Sequence, residues 1–245
     1  MRRLLPAKKS YLTAIVGILA VSSALAQIST SKNGTPGWHR MRLGNFEVTA
    51  LSDGTLQLPV DKMFTKVNPS RIRSLLSRSD LSNDVRTPVN AFLVNTGSRL
   101  VLIDTGTGTS QMFGSNLGNL LANLQGAGYS PDQVNEIYVT HMHTDHIGGL
   151  MRDGQPSFAN ATIRADVREA GRYLSQAQMD AAPADEKEDY ESAMTIFKPY
   201  IAAKKFKPFD GETQLIPGVR AMPAPGHTPG HTVYVIESQG ERLVV

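Results

Sequence analysis

The feature that most constrains this chain is a cluster of metal-binding side-chain types in four of six consecutive positions: His141, His143, Asp145 and His146. The cluster follows the β-rich run 136–140. In an extended segment side chains alternate with period two, so His141 and His143 point the same way and can bind one metal ion together. If the chain then turns into a helix, Asp145 and His146 leave on another side and can bind a second ion. Such a cluster at the end of a strand suits a two-metal hydrolytic site.

A second histidine motif lies at 225–231, so two short windows hold five of the six histidines. A proline and a glycine at the start of this motif favour a sharp turn that presents His227. Either His227 or His231 could be the ligand, although His231 starts a strand-like run and can instead pack or hydrogen-bond. The sixth histidine, His39, has no other metal-binding residue type close to it in the sequence, and we interpret it as structural.

The absence of cysteine excludes a disulfide framework, a thiol nucleophile and cysteine-ligated zinc. Imidazole and carboxylate ligands need no thiol, so they remain available for a metal. Hydrophobic residues make up 40% of the chain and charged residues 19%, a balance that allows a buried core. The 245 residues allow one domain of ordinary to large size.

The N-terminal segment 1–26 has the pattern of a secretory signal peptide. It combines a basic start, a short apolar stretch at 11–21 and the small-residue cleavage motif Ala24-Leu25-Ala26. The apolar stretch is shorter than the roughly 20 residues of a membrane-spanning helix, and the alternative is an uncleaved N-terminal anchor. We predict an exported chain, periplasmic or secreted, with a disordered leader at 27–36 and one domain at 37–245.

Removal of this segment changes what the net charge implies. Residues 1–26 carry four basic side chains and no acidic one, so their loss lowers the formal net charge from +3 to −1. The remaining chain has no basic excess that would indicate a nucleic-acid partner.

The hydrophobic pattern predicts an α/β layered fold, because strands come first and then alternate with helices. Segments 46–51 and 55–60 alternate at period two around Asp53-Gly54, which predicts a β-hairpin with its turn at that dipeptide. Further strands are predicted over 88–95, 99–104, 136–140, 161–165, 219–222 and 232–237, and helices over 117–124 and 185–203.

Asp104 ends an apolar strand, in the motif Leu102-Ile103-Asp104-Thr105-Gly106. A buried acid at this place can orient a metal ligand by hydrogen-bonding to it, without contacting the metal itself. The alternative is an aspartate that only forms the turn after the strand.

These motifs resemble the metallo-β-lactamase superfamily. Residues 141–146 match its H-x-H-x-D-H signature, and residues 102–106 and 226–231 match further family motifs at the expected spacing. The resemblance covers about 37–245 and implies an αββα sandwich. Within the superfamily the chain resembles the methyl parathion hydrolases, exported enzymes that degrade organophosphates, in the segments 51–55, 58–62, 93–97 and 205–209.

Carried over residue by residue, the resemblance implies two divalent metal ions, with zinc as the first expectation. His141, His143 and His227 would hold one ion, and Asp145 and His146 would belong to the other. Composition alone does not identify the metal, because histidine and aspartate sites also accept manganese, cobalt or iron.

Asp145 is the expected catalytic residue, and Asp104 and His231 would support the metal ligands from behind. The family completes its second metal site with an aspartate just after the strand where this chain ends and with a later histidine, and both are absent here. The expected fold therefore lacks the last strands and helix of the sandwich, and we interpret the chain as a fragment of a longer product.

The aromatic leaving-group pocket of the methyl parathion hydrolases maps to Phe113, Tyr173 and Tyr190. Phe113 retains the family's phenylalanine, whereas the two tyrosines replace tryptophan and phenylalanine and add hydroxyl groups. Packing in the hydrophobic core is the alternative role for all three rings.

The resemblance implies hydrolysis of organophosphate triesters such as methyl parathion by metal-bound hydroxide. A lactonase or arylesterase on the same metals is the first alternative, and a β-lactamase-type hydrolase is the next, because fold and metal site do not choose among them. An alternative of another class is a non-catalytic metal-binding fragment. The expected partner is a small-molecule ester substrate, with no nucleic acid and, for the mature form, no membrane; a homodimer stays open.

Overall fold

The computed structural model describes residues 37–64, 66–109 and 113–245. The signal peptide predicted over 1–26 and the leader predicted over 27–36 lie outside the described residues, and both stay predictions. Within the described ranges, no helix has the length and apolar character needed to cross a membrane.

Two main β-sheets organise the described chain. The strands are β1 (Trp38–Leu43), β2 (Phe46–Pro59), β3 (Asp84–Asn95), β4 (Leu100–Ile103), β5 (Glu136–Tyr138), β6 (Met151–Arg152), β7 (Gln155–Pro156), β8 (Thr162–Arg164), β9 (Thr213–Ile216), β10 (Val219–Pro223), β11 (Thr232–Ser238) and β12 (Glu241–Val244). One sheet has the order β1-β2-β3-β4-β5-β8, the other has the order β12-β11-β10-β9, and β6 and β7 form a separate pair. In the first sheet β1 to β4 are antiparallel, whereas β4, β5 and β8 are parallel.

The helices all lie between β2 and β9 in the described sequence. They are α1 (Val60–Met63), α2 (Pro69–Arg78), α3 (Leu120–Gly126), α4 (Thr144–Ile147), α5 (Val167–Tyr173), α6 (Gln176–Ala181) and α7 (Lys187–Ala202). The side chain of Asp166 accepts a hydrogen bond from the Arg168 N–H and caps α5, as an aspartate before a helix is expected to do.

Two hydrophobic clusters divide the protein into layers. On one face of the six-stranded sheet, Leu102 and Ile137 pack in a cluster that also contains residues of α3, α5 and α7. On the opposite face, Val101 and Ile103 pack in a cluster with residues of the four-stranded sheet. Because alternate residues of β4 enter different clusters, its near-continuous apolar run is explained by burial on both faces. The mixed α/β layered fold predicted from the sequence is confirmed.

The hairpin predicted at Asp53-Gly54 is wrong. β2 runs straight through this dipeptide and pairs with β1 on one side and β3 on the other, with a register shift between Ser52 and Gly54. Asp53 is fully buried. Its carboxylate is satisfied there by hydrogen bonds from the Thr107 N–H and hydroxyl and from the N–H groups of Gly118 and Leu120. The dipeptide therefore forms a β-bulge that turns a carboxylate inward.

Candidate metal centre

The H-x-H-x-D-H segment has the strand–turn–helix geometry that its spacing predicts. β5 ends at Tyr138, and α4 begins at Thr144 with His143 as its extended N-cap residue. His141 and His143 therefore precede the helix, whereas Asp145 and His146 belong to it. His141 is buried.

Three imidazoles converge beyond the C-terminal end of β5. His141, His143 and His227 each offer a ligand nitrogen, and these nitrogens all lie within 4.8 Å of one another. His227, on the loop between β10 and β11, places its Nε2 atom 3.0 Å from the Nδ1 atom of His143. No other group of three metal-ligating side chains of this kind occurs among the described residues.

The hydrogen bonds around His141 leave one nitrogen available to a metal. The Thr140 hydroxyl donates its single proton to Asp104 Oδ2 at 2.8 Å, so its oxygen can only accept from His141 Nδ1, 3.1 Å away. This places the His141 proton on Nδ1 and the lone pair on Nε2. The Nε2 atom is buried and has no hydrogen-bond partner. A buried lone pair beside two further imidazoles fits a bound metal ion.

The local environment keeps two of these histidines neutral. Burial and the neighbouring His227 lower the pKa of His143 to about 4. Burial and the surrounding histidines also lower the pKa of His141. Both imidazoles are therefore uncharged near neutral pH, which is the state that binds metal.

Asp145 and His146 form a second, more polar pair beside the three imidazoles. Asp104 Oδ2 lies 2.8 Å from His146 Nδ1, and Asp145 Oδ2 lies 3.4 Å from His146 Nε2. Burial alone would lower the pKa of His146, but the Asp104 and Asp145 carboxylates outweigh it and raise that pKa to about 10. Burial likewise acts to raise the pKa of Asp145, yet the hydrogen bond with His146 leaves it below its usual value.

Asp104 combines the two roles that the sequence left open. Its backbone has φ of +59°, the left-handed conformation of a turn residue. Its buried carboxylate accepts from the Thr140 N–H and hydroxyl and faces His146. The same aspartate therefore shapes the turn after β4 and fixes the orientation of a candidate ligand.

His231 lies next to the three imidazoles but outside the group. Its ring centroid is 4.8 Å from that of His141 and 6.1 Å from that of His227. Its Nδ1 atom is buried without a hydrogen-bond partner. The geometry therefore favours His227 as the candidate ligand from this motif.

The three aromatic residues expected to line a substrate pocket occupy different environments. The Tyr173 hydroxyl lies 2.8 Å from His143 Nε2, and burial raises the pKa of Tyr173 to about 12. Since His143 Nδ1 faces His227, its Nε2–H can donate to this hydroxyl. Tyr190 is buried in the core, with its ring centroid 5.1 Å from that of Tyr173. Phe113 is half-buried, beside the segment 110–112 that the structure does not describe.

Sequence reasoning missed two residues that support the imidazoles. Thr140, directly before the cluster, links Asp104 to His141, and a hydroxyl at that place is a signal that could have been read. Glu169 accepts from the backbone of both histidine motifs. No local pattern in α5 distinguishes this glutamate, because its partners lie far away in the sequence.

A cleft of about 380 Å³ opens beside α4. Its lining combines polar side chains, among them Thr107, Glu188 and Ser192, with the apolar Met151 and Ile196. Thr144 directly precedes Asp145 in α4, and no candidate metal ligand is among the described lining residues of the cleft. No aromatic side chain is among its described lining residues.

The family of the chain follows from comparison with known proteins. Residues 84–245 match the metallo-beta-lactamase superfamily, to which this chain belongs. It is similar to an N-acyl homoserine lactonase of Bacillus cereus, with 27% identity over 193 residues that cover 72% of this chain and 68% of that protein.

Two solved structures share the fold over most of the described chain. A protein described as hydrolase AbOPH in the beta lactamase superfamily superposes with a TM-score of 0.78 and 34% identity, covering 86% of this chain and 74% of its own. AidC, described as a dizinc quorum-quenching lactonase in complex with a product, gives a TM-score of 0.75 and 28% identity, covering 85% and 73%. The chain is thus a metal-dependent hydrolase of this fold.

The superfamily assignment is confirmed, but the expected similarity to the methyl parathion hydrolases is not. The reported relatives whose descriptions name a substrate class or a specific activity are lactonases. The segments behind that expectation include 51–55, within β2, and 93–97, at the end of β3. Both segments belong mainly to strands of the six-stranded sheet, so their similarity reports the fold and does not report specificity.

Proposed function

We propose that this chain is a lactonase that opens the ring of N-acyl homoserine lactones at a dinuclear zinc site. The observation that carries the proposal is the three-imidazole cluster with its unpartnered His141 Nε2, next to Asp145 and His146. The similarity to a dizinc lactonase and to the Bacillus cereus lactonase supports the choice of substrate.

The residues of the centre have two roles in the proposed ring opening, namely metal binding and proton transfer. Bound divalent ions supply Lewis acidity and activate water near neutral pH. His141, His143 and His227 hold the first position, while Asp145 and His146 contribute to the second. In ring opening, the oxygen of a water molecule bonds to the acyl carbon, the bond between that carbon and the ring oxygen breaks, and the ring oxygen leaves as an alkoxide that needs a proton. The ionised Asp145 carboxylate can take a proton from water and return it to that oxygen.

We take the cleft beside α4 as the substrate cleft, and its lining favours a lactone over an aryl phosphotriester. Hydroxyl groups such as that of Ser192 can hydrogen-bond to the amide of an acyl homoserine lactone. A nitrophenyl leaving group is bound best by stacked aromatic rings, whereas Tyr190 is held in the core. The hydroxyl groups of the cleft and the core position of Tyr190 both support the lactone.

The proposal is tested by comparing two substrates on the zinc-loaded chain. Hydrolysis of N-hexanoyl homoserine lactone and of methyl parathion is followed under the same conditions, with His143→Ala as the blank. We expect lactone turnover to exceed phosphotriester turnover by at least about tenfold in kcat/KM, which corresponds to about 1.4 kcal/mol. Faster phosphotriester turnover would reverse the assignment, and zinc binding without hydrolysis of either substrate would favour the non-catalytic fragment.

We also propose that the chain is exported, on the basis of the basic start, apolar stretch and Ala24-Leu25-Ala26 motif at its N-terminus. N-terminal sequencing of protein recovered from the periplasm or the medium tests this. A start near residue 27 supports export with cleavage, whereas recovered protein that still begins at Met1 contradicts it.

A further inference from the structure

Glu169 joins the two histidine motifs from the interior of the protein. It lies in α5 and is fully buried. Its Oε2 atom accepts the Met142 N–H at 3.0 Å, and its Oε1 atom accepts the Gly230 N–H at 2.8 Å. Met142 stands between His141 and His143, and Gly230 belongs to the loop that carries His227. One carboxylate therefore holds both backbones that present the three imidazoles.

The charge of Glu169 has no cationic partner among the described side chains within ion-pair distance. Another buried carboxylate, that of Asp166, is paired with Arg168. A buried anion without a counter-charge is costly, even when hydrogen bonds satisfy its oxygens. A cation held by the adjacent histidine motifs would offset this cost.

We propose that Glu169 is a positioning residue that fixes the position of the two histidine motifs relative to each other. It thereby sets the metal affinity of the first position. The inference rests on the proposed function only in taking His141, His143 and His227 as the ligands of that position. Glu169 acts through the backbone and contacts neither metal nor substrate.

A carboxylate is the group that this place requires. Two N–H donors arrive from separate loops, and a carboxylate offers an acceptor to each. In Glu169→Gln, the amide oxygen can serve one donor, but the NH₂ group would face the other. One motif would lose its attachment, and its histidine would move relative to the others. Losing residues that orient metal ligands typically lowers metal affinity by about 10–100-fold.

Gly230 gives an independent way to disturb the same contact. A Cβ atom at this position would lie 2.7 Å from the Glu169 backbone nitrogen and 2.9 Å from Glu169 Cγ. The Gly230→Ala substitution therefore pushes the His227 loop away from α5 without changing the charge of Glu169.

The experiment compares zinc affinity in four forms of the full chain: wild type, Glu169→Gln, Gly230→Ala and Glu136→Gln. Glu136 is a matched control, because it is a buried carboxylate at the start of β5 that pairs with Arg164. Zinc affinity is measured by competition with a chromophoric chelator, and the thermal melting of each metal-free form is measured alongside.

We expect about 10–100-fold weaker zinc binding in Glu169→Gln and Gly230→Ala, and a change of less than about threefold in Glu136→Gln. Metal-free melting temperatures of Glu169→Gln and Glu136→Gln should fall by similar amounts, so general destabilisation would not explain the difference in zinc binding. If Glu169→Gln does not fold, weaker zinc binding in folded Gly230→Ala supports the proposal and unchanged binding overturns it.

Other outcomes separate this inference from the proposed function. Wild-type affinity in both Glu169→Gln and Gly230→Ala, or an equal loss in Glu136→Gln, overturns the role of Glu169 alone. Weaker zinc binding in the two variants, together with no lactone turnover by the wild type, supports Glu169 and removes the lactonase assignment. A wild type that binds no zinc refutes both.

Discussion

The three-imidazole cluster and the Asp145–His146 pair lie side by side but are built differently. The cluster gathers three rings from two loops, and burial keeps the pKa of His143 low. The pair comes from one turn of α4, and carboxylates on both sides raise the pKa of His146. Among the described residues, three ligand-type side chains converge at the first position, whereas only Asp145 and His146 mark the second. From this difference we expect that, in the proposed dinuclear site, the two positions bind metal with unequal affinity.

The largest expected effect comes from removing one imidazole of the cluster. His143→Ala should weaken zinc binding at the first position by more than about 100-fold, since losing a ligand should exceed the 10–100-fold cost of losing a residue that orients one. His39→Ala is the control, because His39 lies exposed on β1. Zinc content after dialysis and lactone turnover check the result, and equal losses in the two variants would contradict the assignment.

The next substitution separates the two positions. Asp145→Asn should remove the weaker equivalent of zinc and reduce turnover by at least about 100-fold, because catalytic proton transfer typically contributes that much or more. The tighter equivalent should stay within about threefold of its wild-type affinity. A calorimetric zinc titration measures both equivalents. Loss of both together would show that the two positions form one interdependent site.

Asp104→Asn should change how the free energy of unfolding of the metal-free protein depends on pH. The Asp104 carboxylate helps to raise the pKa of His146 to about 10 in the metal-free chain. Protonated His146 therefore contributes stability that is fully present below the ordinary histidine pKa of about 6.5 and is lost as pH rises through 10. The free energy of unfolding of metal-free protein, followed by denaturant titration at pH 7 and pH 10, should fall less in the variant. An identical fall in both proteins would mean that Asp104 does not control His146.

The smallest effect on zinc affinity is expected from removing the Tyr173 hydroxyl, which contacts His143. Tyr173→Phe keeps the ring but removes the hydroxyl that lies 2.8 Å from His143 Nε2. Loss of one such hydrogen bond is worth about 1 kcal/mol, so zinc affinity should fall about fivefold. Tyr190→Phe is the matched control, because Tyr190 is a buried neighbour on α7. Chelator competition measures both variants, and equal affinities would mean that the Tyr173 hydroxyl does not orient His143.

What the sequence revealed of this centre was local. The period of a strand and the turn into a helix place His141, His143, Asp145 and His146 within a few residues, so their spacing sufficed. The choice between His227 and the neighbouring His231 depended on the distance between two loops, which no local pattern contains.

The fold, like the metal centre, was predictable where local sequence patterns determine the structure. Alternating segments located most strands, and the apolar spacing located α7. The Asp53-Gly54 dipeptide was misread because a turn and a bulge use the same residue types. The donors that draw Asp53 inward come from residues 107, 118 and 120, far along the chain. At this point tertiary hydrogen bonding outweighed the local preference for a turn.

The hydrogen bonds of Asp53 also join parts of the chain that are distant in the sequence. They anchor the chain at Thr107 and again at Gly118 and Leu120, so both ends of the intervening segment are attached to β2. Gly54 reinforces the attachment, because a Cβ atom there would lie 1.9 Å from the Asn116 carbonyl oxygen. A single buried side chain therefore fastens two separate stretches of backbone to β2, and its loss would release both stretches at once.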